Sequence, residues 1–436
     1  MEQTQKSRKQ NPWKFIPTQY VAEGLPYILV NSTAVVMFKQ LGMSNSDIGM
    51  ITSLITIPWM IKMFWSPWID SVSTKRNWVV KMQLLLTACF AILAFTLQLP
   101  GYITSSIIIL SLVAFLSATH DIVTDGFYLH ALDTKQQAFF SGIRSTFWRL
   151  ALILGGGLLV TMADVIGDWT GDINNGWSAA FAVSGFVFLV FWMWHKRILP
   201  HPETDVPVKN SDTNGKDSVP FLEAVTSYFK QPKITLIILF ILFYRLGEGM
   251  LVKMAQPFLM DPAAAGGMNI RVKEIGIMYG TIGAVALVVG GILGGVLIKK
   301  YGLKKLIFPM ALAMNLPNIL YVLLAAFPTE AAFVIEIAGN NFHPYIQSVI
   351  LLEQFGYGLG FTAFMVYLLY VSKGKYRTSH YAISTGIMAF GMMLPGIVSG
   401  FLQEIVGYYW LFVFTVLCAV PGIAIIFFLP YDEETS

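Results

Sequence analysis

The feature that most constrains this chain is a series of apolar runs, each close to the roughly 20 residues a helix needs to cross hydrocarbon. They lie near 16–39, 47–69, 78–99, 103–129, 139–163 and 177–195, and again near 233–258, 273–298, 305–327, 346–371, 379–402 and 408–429. The pattern predicts about twelve spanning helices, six on either side of a polar segment. That segment, HKRILPHPETDVPVKNSDTNGKDSVPF (His195–Phe221), is rich in Pro, Asp, Asn and Lys. It reads as a cytoplasmic linker, with a short interfacial helix around Phe221–Phe229. The predicted organisation is a six-helix bundle over 1–196, a linker over 197–232 and a second six-helix bundle over 233–436. Only 12% of residues are charged, against about a quarter in soluble domains, so an all-α integral membrane protein is expected. The N-terminus, MEQTQKSRKQNPWKF, leads into a run too long for a signal-peptide core and lacks a small-residue cleavage site. It reads as an uncleaved first span.

Several function classes fall away. No basic stripe lies on a soluble face, so nucleic acid is not an expected partner; lipid and a small-molecule solute are, with a monomer as the expected state. Cys89 and Cys418 both sit in apolar runs, which excludes a disulfide framework. No Gly-Lys pair has Walker spacing, no HExxH or Cys/His cluster suggests a metal, and no nucleophile–base constellation appears. An enzyme is not expected, nor a cofactor. Charge orients the spans. Lys6, Arg8, Lys9 and Lys14, then Lys75 and Arg76, Lys135, Lys196 and Arg197, Lys299 and Lys300, and Lys373 to Arg377 fall in alternate loops. Apart from Arg271 and Lys273, the opposite loops hold almost no basic residues. The positive-inside rule therefore predicts both termini in the cytoplasm.

The two halves resemble each other. SNSDIGMI (44–51) and RVKEIGIM (271–278) each open a helix with an acidic residue followed by Ile-Gly, as a helix dipole favours. At similar distances downstream come the charged turns WIDSVSTKR (68–76) and IKKYGLKK (298–305). Paired six-helix repeats of this kind resemble the major facilitator fold, whose binding site lies near the bilayer midplane. The turns are similar to that superfamily's loop signature, and Asp70, Lys75, Arg76, Lys299 and Lys300 are the gating candidates. Lys299 stands at the usual acidic position, and Ser66 stands where glycine is usual.

Charges inside the spans are costly and mark candidate sites. In SATHDIVTDGFYLHALD (117–133), Asp121, Asp125 and Tyr128 share one helical face, with His120 and Thr124 beside it. Two carboxylates at i and i+4 repel each other and favour a shared proton. They are either a proton-carrying pair or a structural one near the helix end. Arg144 and Arg149, in GIRSTFWRLALILGGGL (142–158), can supply the counter-charge, Arg149 being the deeper. Arg149 can instead grip an anionic substrate, since a guanidinium forms two parallel bonds to a carboxylate. In FYRLGEGMLVKM (243–254), Arg245 and Glu248 at i, i+3 can form an ion pair within one helix. Lys62 and Glu353 are further buried charges, and Glu23 beside Pro26 predicts a polar patch or hinge. His120 and His380 are the histidines placed for pH sensing or for helix-end hydrogen bonds. Trp59, Trp65 and Trp148 are either sugar-stacking or packing residues. GGILGG (290–295), LGGGL (154–158) and Gly396 with Gly400 are small-residue faces for close helix approach.

Taken together, AEGLPYILVNSTAVVMFKQLGMSNSDIGMITSLITIPWMIKMFWSPWID (22–70), ATHDIVTDGFYLHAL (118–132), FWRLALILGGGL (147–158), FYRLGEGM, PFLMD (257–261), EQFGYGLGFTAFMVYLLYV (353–371) and LPGIVSGFLQEIVGYYWLFVFT (394–415) resemble the AmpG-type muropeptide permeases. The resemblance implies proton-coupled import of anhydro-muramyl peptides bearing GlcNAc, released in peptidoglycan turnover, across the cytoplasmic membrane. It places Lys62, Asp70, Asp121, Asp125, Arg149 and Glu353 on the family's pattern, with Arg245 and Glu248 where a basic and an acidic residue recur. In this reading Asp121, Asp125, Glu353 and His120 serve proton coupling. Lys62, Arg149, Arg245, Glu248, Trp59, Tyr128 and Tyr357 serve substrate binding. His120 and His380 stand where the family shows glutamine, and Glu23 where it shows a small residue. Another bulky anion such as acetyl-CoA, or a non-transporting membrane sensor of the same fold, is the alternative.

Overall fold

Helix ends fall where the chain supplies caps and breakers. Ser44 Oγ accepts the Asp47 N–H at 3.1 Å, and Thr74 Oγ1 accepts that of Asn77 at 3.2 Å. Asp133 and Gln136 form a reciprocal capping box. The computed structural model describes residues 11–207, 221–328, 333–337, 340–372 and 377–431. Among these, eleven helical segments are long and apolar enough to cross a membrane. We label them α1 (Pro12–Gln40), α2 (Asn45–Phe64), α3 (Lys75–Thr96), α4 (Tyr102–Ala131), α5 (Ile143–Thr170), α6 (Ile173–Ile198), α7 (Ile234–Met260), α8 (Val272–Tyr301), α9 (Leu303–Ala326) and α10 (Pro344–Val371). The last segment, Ser379–Phe428, is 50 residues long and divides at Gly407. There φ is +77°, a conformation that glycine alone adopts at little cost. We call its two parts α11 and α12.

Several spans depart from straight α-helix. α1, α5 and α8 each contain a π-helical stretch, at Leu29–Thr33, Ile153–Leu159 and Met278–Gly283. The sequence predicts an unbroken second span to residue 69. Instead α2 breaks after Leu54, resumes at Ile57–Ile61 and tightens to a 3-10 turn at Lys62–Phe64. Pro58 and Pro67 interrupt the backbone ladder there. α7 breaks at Tyr244–Arg245, between Ile234–Phe243 and Leu246–Met260. The short helix expected in the linker is present at Phe221–Phe229. A two-stranded antiparallel hairpin, β1 (Ile335–Ile337) and β2 (Asn340–Phe342), lies between α9 and α10 with Ile335 opposite Phe342.

The chain forms two compact units: Met1–Ala34 with Ile61–Asn214, and Val35–Met60 with Gly215–Ser436. In the first, α3 packs between α4 and α6, and the start of α1 packs on α5 and α4. Its aromatic core includes Phe90, Trp177, Phe181 and Phe188, with Phe90 and Phe188 centroids 5.4 Å apart.

In the second unit α10 packs on both α8 and α9. Glycine makes this possible: a Cβ at Gly290 would lie 2.2 Å from the Phe355 carbonyl oxygen, and one at Gly356 1.9 Å from that of Ala313. The second unit also includes residues 35–60, which pack on α11. A buried polar cluster holds them there. Lys39 Nζ lies 2.5 Å from Asp261, and the Asn45 amide reaches Gln403 at 2.6 Å, Tyr408 at 2.7 Å and Asp261 at 3.1 Å. Apolar packing alone cannot hold one helix to another where lipid competes equally well, so such hydrogen bonds and glycine contacts supply specificity.

Candidate functional site

Within the first unit, one face of α4 carries a charged cluster. Asp121 forms an ion pair with Lys62, which the 3-10 turn of α2 directs toward it. One turn further, Asp125 pairs with Arg144 of α5 at 2.7 Å. Tyr20 of α1 bridges this pair: its hydroxyl donates to Asp125 at 3.0 Å and accepts from Arg144 at 3.0 Å. The Arg144 guanidinium also lies over the Tyr20 and Tyr128 rings, 5.4 Å and 4.8 Å from their centroids. Glu23, buried in α1, lies beside Asp121 and within electrostatic reach of Asp125 and Lys62. The cluster thus holds three acids and two cations. It is open on one side, since the Asp125 side chain is 52% exposed and that of Asp121 only 19%.

The face read from the sequence for Asp121, Asp125 and Tyr128 is present, Lys62 joins it through Asp121, and of the two arginines offered as counter-charge it is Arg144 that pairs with Asp125. Arg149 is half-buried further along α5. His120 turns away from this face. It is fully buried and meets the Gln83 amide at 3.1 Å, Gln83 meets His195 at 2.9 Å, and His195 meets Thr18 at 2.9 Å. That chain ties α1, α3, α4 and α6 together.

The second unit holds a contrasting group. Arg245 does not form the expected intrahelical pair with Glu248. The break in α7 places Arg245 at the N-cap of Leu246–Met260, outside helical i, i+3 geometry. Its guanidinium instead donates to the Tyr357 hydroxyl and lies 5.3 Å and 4.8 Å from the Tyr357 and Phe361 ring centroids. Glu248 is fully buried, and neither of its carboxyl oxygens has a hydrogen-bond partner. Glu353 of α10 is 2% exposed and, among the described residues, accepts only from the neighbouring Gln354 amide, at 2.9 and 3.1 Å. The two carboxyls lie within electrostatic reach of each other. The Tyr279 and Tyr321 hydroxyls, 2.5 Å apart, lie within reach of both.

Other candidates fall elsewhere. Trp59 is half-buried in the part of α2 that belongs to the second unit. At the start of α3, the Asp205 carboxylate accepts the backbone N–H groups of Lys75 and Arg76 at 2.7 and 3.0 Å. The Arg76 guanidinium donates to the carbonyls of Lys196 and Leu199. This anchors the chain leaving α6. Lys299 and Lys300 are exposed at the end of α8, Lys300 lying 5.0 Å over the Tyr301 ring. The Asp70 side chain lies outside the described residues. His380 meets Ser227 at 2.8 Å and Gln231 at 3.3 Å, which docks the linker helix onto α11. Beside it, burial pushes the Tyr228 phenol up while its bond to Ser384 opposes the shift.

Sequence reasoning passed over Tyr20, Gln83, His195 and Lys253. Lys253 is buried in α7, with Nζ 3.2 Å from the Thr52 carbonyl. Each is a polar residue inside an apolar run, a signal that was available but carries no partner with it.

Comparison with known proteins gives this architecture its place. The profile of the Major Facilitator Superfamily matches residues 19–368. The chain belongs to that superfamily. Its members are transporters rather than enzymes, and the chain has their fold. A putative transporter, AmpG 4, of Rickettsia conorii is 23% identical over 94% of both chains. The anhydromuropeptide permease of Escherichia coli K12 is 23% identical, covering 93% of this chain and 77% of its own. The family resemblance read from the sequence is thereby supported: the chain is similar to AmpG-type permeases over nearly its whole length. Among solved structures, a D-xylose–proton symporter superposes with a TM-score of 0.72 at 11% identity, covering 95% of this chain and 96% of its own. The nucleoside transporter NupG gives 0.65 at 15%, covering 96% and 99%.

Proposed function

We propose that this protein is a proton-coupled symporter that imports GlcNAc-anhydroMurNAc-peptides across the cytoplasmic membrane by alternating access, with both termini in the cytoplasm. It works as a monomer, uses no cofactor and draws on the proton gradient. The observation that carries this reading is the charged face of α4, where Asp125 is accessible and Glu23 and Asp121 lie side by side. Two carboxyls in contact in a low-dielectric site favour keeping a proton between them. Three acids against two cations leave one negative charge that a proton neutralises. Tyr20 and Arg144 connect this site to the accessible side through Asp125. The substrate class rests on the likeness to the permease of E. coli over nearly the whole chain. Arg149, Arg245 and Lys62 are the cations offered to the peptide and lactyl carboxylates, and Trp59, Tyr128 and Tyr357 the aromatic surfaces offered to sugar. Lys75, Arg76, Lys299, Lys300 and Asp70 sit on the turns that re-form as access alternates.

The test is uptake of labelled GlcNAc-anhydroMurNAc-peptide by cells lacking their own permease, with and without a protonophore. Uptake that collapses with the gradient is expected. Absence of uptake, with the protein verified in the membrane, removes this ligand. Retention of gradient-driven uptake by Asp121→Asn with Asp125→Asn removes the proton role of α4.

A further inference from the structure

The second unit carries a buried charge imbalance of its own. Glu248 has one cation within electrostatic reach, Arg245, while the charged group within reach of Glu353 is Glu248 itself, and among the described residues no cation is shared by both. Around them are Tyr279 of α8, Tyr321 of α9, and Gln354 and Tyr357 of α10, all uncharged. Lys253, on the same helix as Glu248, points its amine to the Thr52 carbonyl instead. A bare carboxylate without hydrogen bonds is among the costliest groups to bury, whereas its protonated form is neutral and tolerable. Glu248, fully buried with both oxygens unpartnered, is such a group. Arg245 lies at the break just before the helix that carries Glu248, yet its Nε has no partner while its terminal nitrogen is engaged by Tyr357.

We propose that Glu248 and Glu353 form a second proton-binding site, separate from the α4 cluster, in which Arg245 links proton uptake to an anionic substrate. With Arg245 unoccupied, its charge offsets one carboxylate and a single proton neutralises the pair. When a substrate carboxylate binds the guanidinium, that offset passes to the substrate and the pair takes up another proton. The proton therefore follows the anion, by charge balance in a site where imbalance is expensive. Transport then moves one proton through each unit, two per cycle. The coupling to substrate rests on the symport reading above; the existence of the protonated pair does not.

Two measurements test this. Infrared difference spectra of the purified protein in nanodiscs, recorded near neutral pH and after alkalinisation, report protonated carboxyls through their carbonyl stretch. In the Asp121→Asn, Asp125→Asn background a carboxylic-acid band is expected to remain. It should vanish when Glu248→Gln and Glu353→Gln are added, and weaken with either alone. A background protein with no such band, or a band unchanged by both glutamines, overturns the site. Glutamine mimics the neutral acid, so both single variants are expected to fold. In proteoliposomes, Glu353→Gln should keep counterflow exchange of labelled GlcNAc-anhydroMurNAc-peptide but lose accumulation driven by a pH gradient, by about tenfold per pH unit for the lost proton. Unchanged accumulation overturns the coupling. Wild-type protein that moves no muropeptide sinks the ligand assignment, while the infrared comparison still decides whether the pair holds a proton.

Discussion

The two units treat buried charge in opposite ways. In the first, each aspartate has a cation against it: Lys62 on Asp121 and Arg144 on Asp125, with Tyr20 tying the second pair. In the second, the carboxyls of Glu248 and Glu353 receive no cation directly, and Arg245 gives its hydrogen bond to a tyrosine. The first cluster is partly accessible; the second is sealed, with Glu248 at 0% and Glu353 at 2% exposure. Where cations can reach, ion pairs hold the acids. Where none does, the one hydrogen-bond donor to the acids among the described residues is the uncharged Gln354 amide. Close packing accompanies the seal: glycine contacts just beyond Glu353 bring the backbone of α10 against α8 and α9.

The largest expected effect comes from breaking that seal. Gly356→Leu drives a side chain into the Ala313 carbonyl, which even a Cβ would approach to 1.9 Å. Backbone cannot yield there, so the cost should reach or exceed the upper end of the about 1–3 kcal/mol typical of overpacking. Loss of the monodisperse peak in fluorescence-detected size exclusion is the expected readout.

Next comes Lys62→Met, which strips Asp121 of its cation. Because the pair is partly exposed, a loss of about 1–3 kcal/mol is expected, below that for a fully buried pair. Adding Asp121→Asn should restore most of it in thermal unfolding. Without such recovery, the first cluster is not held by pairing and the contrast between the units is wrong.

Arg245→Gln should cost less, about 1 kcal/mol, because the hydrogen bond it loses is to Tyr357 and no carboxylate loses a direct partner. A melting shift as large as that of Lys62→Met would show that the second cluster is also held by its cation. The smallest effect belongs to His380→Ala. It releases the bonds to Ser227 and Gln231 and should cost about 0.5–1 kcal/mol. Faster hydrogen exchange confined to Phe221–Phe229 and the start of α11 should report it, while the charged clusters remain unaffected.

Much of this was legible before any coordinates. Spans, linker helix and repeat are properties of local hydropathy, and most observed boundaries lie close to those read from the chain, the ends of the second and fifth spans excepted. The face shared by Asp121, Asp125 and Tyr128 followed from helical periodicity. One reading failed and two relations went unread, all for want of one kind of information. The Arg245–Glu248 pair assumed a continuous helix, and the chain breaks at Tyr244–Arg245. Arg144 and Arg149 were both available as counter-charges, and depth in the span did not tell that Arg144 is the one paired with Asp125. The polar cluster of Lys39, Asn45, Asp261, Gln403 and Tyr408 joins segments far apart along the chain, which no local pattern connects.

The sequence by itself determined that this chain crosses a membrane about twelve times in two related halves, and which few residues defy the lipid. Period and length suffice for that, because hydrocarbon admits so few backbone solutions. Only the tertiary structure decided which of those residues face one another, and whether a buried acid meets a lysine, an arginine, a tyrosine or nothing. Interaction energy in a low-dielectric interior depends steeply on distance and on what else fits, and both are set by how closely neighbouring helices pack.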